Sequence, residues 1–372
     1  MNFYRRWSRP VLIDCYRRPN GTDREGTTVA GGGGGRGRAY IGSFTAAGGL
    51  GIVTAAVAPD TGALKVLSGL NGVPDPSYLA LSARGDVLYA VSETAQGALA
   101  AYRVNGERPE PAGPPVPVDG NGPTHLAVHA GYVLTANYGS GSVTTVALRA
   151  DGSLAGAHSG VLRHTGSGPH TPRQQNPHAH QVQPDPSGRW IVSVDLGTDS
   201  VRVCTLTDGA LDIHREVALR PGSGPRHLAF HPDGTRAYVL NELTPTLVRC
   251  RWDAEKGSLK PLSEIPVLAG APEGDAYPSG VVTSPDGRFV WTATRGEDVL
   301  STFAVEGDDL RLVGTVGCGG RWPRALAEYG GFLYVANERS GDVTWFAVDA
   351  ATGLPRYEGS IEVPAASCVV FD

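Results

Sequence analysis

A strand–turn–strand unit recurs along the chain, and its clearest copy is residues 225–242, PRHLAFHPDGTRAYVLNE. Apolar and polar side chains alternate over 227–231, which is the period-2 pattern of a half-buried strand. Residues 232–234 read Pro-Asp-Gly, a turn sequence, and 237–240 are strand-forming residues. In an antiparallel pair the start of the first strand lies beside the end of the second. The unit therefore brings the ionisable residues at its two ends together.

The leading proline of this unit marks each of its six copies. It is found at intervals of 45 to 54 residues, as Pro76, Pro123, Pro177, Pro225, Pro278 and Pro323. A third strand and a short fourth segment follow the pair, as at 142–146 and 151–154. Four strands in roughly 40–50 residues is the spacing of a β-propeller blade.

The two ends of the repeat region complete a seventh unit. Residues 40–44 read as a second strand without its first, and residues 364–371 read as a first strand without its second. We find no amphipathic helix between the strands, which disfavours a parallel α/β fold. The sequence therefore predicts an all-β, seven-bladed β-propeller with four-stranded antiparallel blades, its ring closed by the N- and C-terminal strands in one blade.

Composition narrows the class of protein further. The net charge is −5, and there is no basic block beyond the N-terminal segment, so we expect no nucleic-acid partner. The five cysteines are scattered, which indicates neither a disulfide framework nor a thiolate zinc site. No apolar run reaches the roughly 18 residues of a membrane span. Residues 1–37, rich in Arg and Gly, are predicted to be a disordered tail before a domain at 38–372, and we expect a cytoplasmic protein without a membrane partner.

In a ring, the leading-proline ends of the units converge on one mouth of the central channel. The residues placed there are, unit by unit, Ser77 with Glu93; Thr124 and His125 with Asn137 and Tyr138; His178 and His180 with Asp195; Arg226 and His227 with Asn241 and Glu242; Ser279 with Arg295; and Arg324 with Asn337, Glu338 and Arg339. Three consecutive arginine-bearing units follow the histidine unit. This asymmetry predicts a site for a small anion in the concave mouth.

Several of these residues have a second interpretation. His178 and His180 share a strand face and would suit a metal, a catalytic role or a structural one. Arg226 and Glu242 would also serve as an ion pair that locks their hairpin. His227 and Arg339 would equally be structural, Arg339 through a pair with Glu338.

The motifs resemble the lactonase family of seven-bladed propellers over about residues 38–372. The resemblance rests on 39–45 (AYIGSFT), 176–180 (NPHAH), 224–227 (GPRH) with 241–242, and 335–338 (VANE). The family contains bacterial 6-phosphogluconolactonases of the cycloisomerase type and fungal carboxymuconate cyclases. It implies an active site of His180, Arg226 and Glu242, with Arg295 as the second arginine.

This resemblance implies hydrolysis of 6-phospho-D-glucono-1,5-lactone to 6-phosphogluconate, a step of the pentose phosphate pathway, without cofactor or metal. His180 is expected to activate water, because histidine titrates near neutral pH. Arg226 is expected to act with Arg295 on the phosphate and the oxyanion, and Glu242 to orient His180 or protonate the leaving oxygen. The predicted substrate-binding residues are Arg295, His178, Asn137, Asp195, His227 and Arg339.

Two alternatives stay open at this stage. One is a lactonising cyclase or another sugar lactonase of the same family. The other is a non-enzymatic propeller that binds a protein or peptide, which predicts an apolar rim where this sequence places charged residues. We expect a monomer or a weak homo-oligomer.

Overall fold

The computed structural model describes residues 37–372. Seven antiparallel sheets lie in sequence around a central channel, which confirms the predicted all-β propeller. The predicted disordered tail lies, except for Gly37, outside the described residues and stays a prediction. Within residues 37–372, no helix is long and apolar enough to cross a membrane.

We number the blades from the first complete one and give each from its innermost strand outwards. Blade 1 is Leu79–Leu81, Val87–Ser92, Ala98–Arg103 and the pair Glu110–Pro111 and Val116–Pro117; blade 2 is Pro123–His129, Tyr132–Asn137, Ser142–Ala147 and Gly160–Arg163; blade 3 is Ala179–Pro184, Ile191–Asp195, Ser200–Thr207 and Ala210–Ala218. Blade 4 is Pro225–Phe230, Arg236–Asn241, Thr246–Asp253 and Ser258–Pro266; blade 5 is Tyr277–Thr283, Phe289–Arg295, Val299–Glu306 and Asp309–Gly317. Blade 6 is Pro323–Tyr329, Phe332–Asn337, Asp342–Val348 and Pro355–Glu362; blade 7 is Ala366–Phe371, Arg38–Ser43, Ile52–Val57 and Leu64–Leu70, with a 3₁₀ turn at Thr45–Ala47.

Blade 7 joins the two ends of the propeller, as predicted. The strand Arg38–Ser43 pairs antiparallel with Ala366–Phe371, with Tyr40 opposite Val370. Because the innermost strands contact their neighbours around the whole ring, this closure leaves the ring without an open gap.

Blade 1 departs from the predicted four-strand pattern. Its outer edge is split into two short pieces, Glu110–Pro111 and Val116–Pro117, which both pair with Ala98–Arg103. Five prolines occur in the segment 109–117, and proline has no N–H to donate to a ladder. An edge strand tolerates this interruption because only one of its sides is paired.

The hydrophobic core lies between adjacent blades, whose faces pack on each other. An aromatic side chain on the second strand of a blade reaches the outer turn of the next blade. Tyr89 donates a hydrogen bond to the Gly152 carbonyl at 2.7 Å, and Trp291 donates to the Gly353 carbonyl at 2.7 Å. Gly353 has a φ of +72°, and a Cβ there would lie 2.4 Å from the Phe289 ring. A glycine is therefore required at this contact.

Side chains bridge the innermost strands, which share no backbone ladder with one another. Gln183 donates to the Leu228 carbonyl at 2.7 Å, and the Leu228 N–H donates to the Gln181 side chain at 2.6 Å. These bonds satisfy backbone groups that would otherwise face the channel unpaired.

Candidate active site

A β-bulge at the same place in six blades aims one side chain of each innermost strand towards the mouth. In blade 4, Pro225 is opposite Asn241 and His227 is opposite Leu240, so Arg226 has no partner in the ladder. The residues skipped in this way are Thr124, His180, Arg226, Ser279, Arg324 and Ser367. A bulge inserts one extra residue and re-aims its side chain. In these six blades the skipped residue is the one after the leading proline or two residues further on, and in blades 4 and 6 it is an arginine that reaches the carboxylates of the mouth.

Glu242 lies at the centre of the charged groups in the mouth. Its Oε2 is 3.0 Å from Arg226 Nε and 2.8 Å from Arg295 Nη2, and its Oε1 accepts a hydrogen bond from Arg173 at 2.6 Å. Burial opposes ionisation of Glu242, but Arg295, Arg226 and Arg173 outweigh it and lower the pKa of the carboxyl to about 2. Glu242 is therefore a carboxylate at neutral pH.

Arg226 and Arg295 are the two most buried arginines of the mouth, with 3% and 7% of their surface exposed. Burial and the neighbouring Arg295 lower the pKa of Arg226 to about 9, and burial also lowers the pKa of Arg295. Both stay cationic at neutral pH. Their contacts with Glu242 Oε2 are ion pairs without hydrogen-bond geometry, so a donor on each guanidinium is left without a hydrogen bond.

A second group of charges surrounds Arg324. Its Nη2 is 3.4 Å from Glu93 and its Nη1 is 3.3 Å from Glu338. We call the four guanidinium groups and three carboxyl groups, Arg173, Arg226, Arg295 and Arg324 with Glu93, Glu242 and Glu338, the arginine cluster. Positive charge exceeds negative charge in this set, so the cluster favours an anion.

Three histidine rings lie next to the arginine cluster. His180 and His227 meet edge to face at 5.2 Å between ring centroids, and His227 meets His125 at 5.6 Å. Burial first, and then Arg226, lower the pKa of all three, that of His125 to about 3. They are therefore neutral at pH 7. This differs from the expectation that His180 titrates near neutral pH, because that expectation used the solvent-exposed value.

His180 and His178 differ in what they contact. The Nδ1 of His180 is buried without a hydrogen-bond partner. His178 stacks on Tyr138 at 4.3 Å, and its Nδ1 is 2.8 Å from the Tyr138 carbonyl. His178 thus supports Tyr138, whose ring meets His180 edge to face at 5.5 Å. Within residues 37–372, no group of three His, Cys, Asp or Glu side chains is placed to hold a metal ion.

Asn137 and Asp195 are predicted to bind substrate, and each is also held by hydrogen bonds within the protein. The amide nitrogen of Asn137 donates to Ser142 at 3.1 Å and to Thr144 at 2.9 Å. Asp195 is 2.6 Å from His164 Nδ1 and accepts the His178 N–H at 2.9 Å. Both side chains are fully buried and support blades 2 and 3, and their contact with substrate stays a prediction.

Arg339 lies at the exposed rim of the mouth, where its guanidinium is 3.3 Å from the centre of the Trp322 ring. The guanidinium of Arg295 is 5.5 Å from the same ring. Trp322 therefore connects the buried arginine cluster with the rim through cation–π contacts. In the sequence analysis, only Glu338 was named as a structural partner of Arg339.

Arg173 is a cluster residue that the sequence analysis missed. It lies in the connection between blades 2 and 3, outside the repeated unit, and also donates to the Tyr138 hydroxyl at 3.2 Å. The only sequence signal is the unusual length of that connection, since long loops often carry functional groups. Glu93 and Arg324 were predicted to lie at the mouth, but neither was predicted to be catalytic or to bind substrate.

A cavity of about 810 Å³ occupies the central channel. His125 and His227 line it together with the inner strands as far as Asp185 and Glu328, whereas no member of the arginine cluster, all of which lies in the described residues, lines it. The histidine rings therefore separate this channel cavity from the charged mouth. The site that favours an anion is therefore the mouth with its arginine cluster, and not the channel cavity.

Comparisons with known proteins agree with this architecture. The family described as a seven-bladed beta-propeller lactonase matches residues 38–371. A 6-phosphogluconolactonase of Bacillus subtilis is 33% identical over 344 residues, which are 89% of this chain and 97% of that protein. A 6-phosphogluconolactonase of Formosa agariphila is 28% identical over 340 residues, 84% of this chain and 93% of that protein. The structure of a periplasmic gluconolactonase of Pseudomonas aeruginosa superposes with a TM-score of 0.85 at 29% identity, covering 91% of this chain and 99% of that one.

Proposed function

This chain belongs to the lactonase family of seven-bladed β-propellers, and from that membership we propose that it hydrolyses 6-phospho-D-glucono-1,5-lactone to 6-phosphogluconate. The observation that carries the proposal is the excess of buried positive charge in the arginine cluster, beside a neutral His180. Substrate and tetrahedral intermediate are both anionic, and guanidinium groups bind phosphate and oxyanions through paired N–H donors.

Arg226 and Arg295 are proposed to stabilise the oxyanion. Each is buried and ionised, and each is held within 3.0 Å of Glu242 Oε2. Donors fixed in place before the reaction stabilise developing charge better than water does, because they need not reorganise. Glu242 fixes both guanidinium groups by contacting them through one oxygen atom. Its proposed role is to position the arginines, since as a carboxylate it has no proton to give to the leaving oxygen.

His180 is proposed to take the proton from the attacking water. In the free protein its pKa is held down by burial and by the charges of Arg226, Arg324 and Arg295. A bound phosphate dianion offsets those charges, so substrate binding raises the basicity of His180. The base is thus strengthened when the substrate is present.

The test is the rate of acid formation from fresh phospholactone, coupled to 6-phosphogluconate dehydrogenase and corrected for spontaneous opening. We expect the protein to exceed the enzyme-free rate. Arg226→Ala and His180→Ala should each lower kcat/KM by about 10²-fold or more. Arg288→Ala is the matched control, because Arg288 is an exposed arginine paired with Asp286. Full activity in either site variant would reject the assignment.

An unphosphorylated sugar lactone is the second candidate substrate, because the similar Pseudomonas aeruginosa structure is a gluconolactonase. A panel of phosphorylated and plain gluconolactone separates the two. If the positive excess of the arginine cluster serves a phosphate, the phosphorylated lactone should have the higher kcat/KM, and Arg324→Ala should reduce that preference. Equal kcat/KM for both lactones would favour the plain sugar. The cytoplasmic location stays a prediction, since that same relative is periplasmic.

A further inference from the structure

Glu93 occupies the same repeat position as Glu242, immediately after the second strand of its blade. In blade 1 that strand is Val87–Ser92, and in blade 4 it is Arg236–Asn241. Glu93 Oε2 accepts a hydrogen bond from the hydroxyl of Ser77, the residue after the leading proline of blade 1. Glu93 is therefore a further carboxyl group at the mouth, and it shares Arg324 with Glu338, which contacts the other terminal nitrogen of that arginine.

Glu93 and Glu242 differ in how many guanidinium groups surround them. Glu242 is clasped by three guanidinium groups at 2.6 to 3.0 Å. Glu93 has a single guanidinium neighbour, Arg324, at 3.4 Å, and shares it with Glu338. Only 18% of the Glu93 side chain is exposed. The geometry thus leaves Glu93 with much less compensation for its burial than Glu242 has.

This difference decides which carboxyl group can hold a proton. Burial raises the pKa of Glu93; Arg324, Ser77 and Arg226 oppose the rise, and Glu338 adds to it. Arg295, Arg226 and Arg173 lower the pKa of Glu242 to about 2 despite burial. Pairs of carboxyl groups pushed apart in this way mark the acid and the permanent anion of a site.

We propose that Glu93 is the general acid of the reaction, the group that protonates the ring oxygen as it leaves the lactone carbonyl carbon. The inference rests on the proposed lactone hydrolysis and adds a catalytic residue to it. Arg324 connects Glu93 with the other proposed groups, since its charge acts on Arg226 and His180.

The reaction balances with these groups alone. Water adds to the carbonyl carbon and gives one proton to His180, which forms the tetrahedral oxyanion. The oxyanion re-forms the carbonyl as the bond from C1 to the ring oxygen breaks, and the Glu93 carboxyl gives its proton to that oxygen, which becomes the C5 hydroxyl. The product acid and His180 then each release a proton, one of which restores Glu93 and one of which enters the solvent.

The experiment compares the pH profile of kcat at saturating phospholactone, over the pH range in which the protein is folded, for the wild type and three variants. In the wild type, kcat should fall as pH rises through the pKa of Glu93, because the protonated form is lost. Glu93→Gln keeps the size and the contact with Ser77 but has no acidic proton. It should lower kcat by about 10²-fold and abolish this fall, with KM little changed. Melting temperatures establish that each variant is folded.

Two further variants should move the fall in opposite directions. Ser77→Ala removes a hydrogen bond that favours the ionised Glu93, so the fall should move to higher pH. Glu338→Gln removes the like charge that shares Arg324 with Glu93, so the fall should move to lower pH. Substrate ionisation is common to all variants and cancels in the comparison.

The outcomes separate the two proposals. A wild type no faster than the enzyme-free control overturns the lactonase proposal itself. An active wild type with Glu93→Gln at unchanged kcat, or with its high-pH fall intact, overturns the role of Glu93 alone. A variant that raises KM at constant kcat would make Glu93 an anchor of Arg324 and would also overturn it.

Discussion

Acidification should destabilise this propeller in a window set by its buried histidines. His125, His180 and His227 lie in one group, and burial with the charge of Arg226 lowers the pKa of each. Between pH 7.5 and pH 5.5 the unfolded chain binds protons at these positions, whose ordinary pKa is about 6.5, and the native protein does not. The unfolded state thus binds more protons, so the free energy of unfolding falls as pH falls.

The size of the effect follows from the same linkage. A histidine that stays neutral in the native state costs about 1.3 kcal/mol of stability between pH 7.5 and pH 5.5, and three together cost about 4 kcal/mol. Glu93 acts in the opposite direction, because its pKa is raised on folding and the native state holds its proton more tightly. The stabilisation from Glu242 is constant in this window and is lost only at lower pH, since its pKa falls from about 4.5 to about 2 on folding. The loss of about 4 kcal/mol is therefore an upper value.

Urea unfolding followed by tryptophan fluorescence at the two pH values measures this loss. His125→Gln should remove about 1.3 kcal/mol of the pH dependence, because glutamine is neutral at both values. His158→Gln is the control, since His158 is an exposed side chain in a turn of blade 2. If His125→Gln keeps the whole pH dependence of the wild type, the histidine group is not buried and neutral as described.

Two further predictions concern the ion pairs of Glu242 and the contact of Gly353 with Phe289 between two blades. Glu242→Gln leaves three guanidinium groups without their anion and should cost about 3–5 kcal/mol of stability, as well as activity. Glu306→Gln is the control, because Glu306 pairs with Arg311 at the exposed surface and should change the melting temperature little. Gly353→Ala meets the Phe289 ring at 2.4 Å and should lower stability by at least about 1 kcal/mol more than Gly307→Ala, whose φ is also positive but which has no neighbour within 4 Å. Equal losses in the two glycine variants would mean that the contact with Phe289 relaxes freely.

The repeat made the fold predictable, and it also located most of the site. The spacing of the leading prolines predicted seven blades and the closure of Arg38–Ser43 on Ala366–Phe371, because each unit needs a neighbour on which to bury its faces. It also placed Arg226, Glu242, Arg295 and Arg324 at one mouth. These four residues could be placed because their positions follow from the ends of the strands, which the local sequence pattern predicts.

What the sequence did not reveal depends on contacts between distant residues. Arg173 lies outside the repeat, so no periodic pattern marks it as a partner of Glu242. Asn137 and Asp195 stand at mouth positions, but their side chains turn to Thr144 and His164, which only the packed blades bring close. The low pKa of His180 arises from burial and three arginines on other blades. A pKa read from residue type alone therefore misjudges this base.

The bulge explains how a symmetric ring holds an asymmetric site. The skipped residue is small and hydroxylated in three blades: Thr124 donates to the His180 carbonyl at 3.4 Å, Ser279 donates to the Pro323 carbonyl, and the Ser367 hydroxyl is buried without a hydrogen-bond partner. Where it is long, as in Arg226 and Arg324, it reaches the carboxylates of the mouth. The bulge is the same in these six blades, so the identity of the skipped residue decides which contacts its side chain makes. Changes of substrate within such a scaffold should therefore concentrate at the bulge positions and at the residues that follow the second strands, where Glu93 and Glu242 lie.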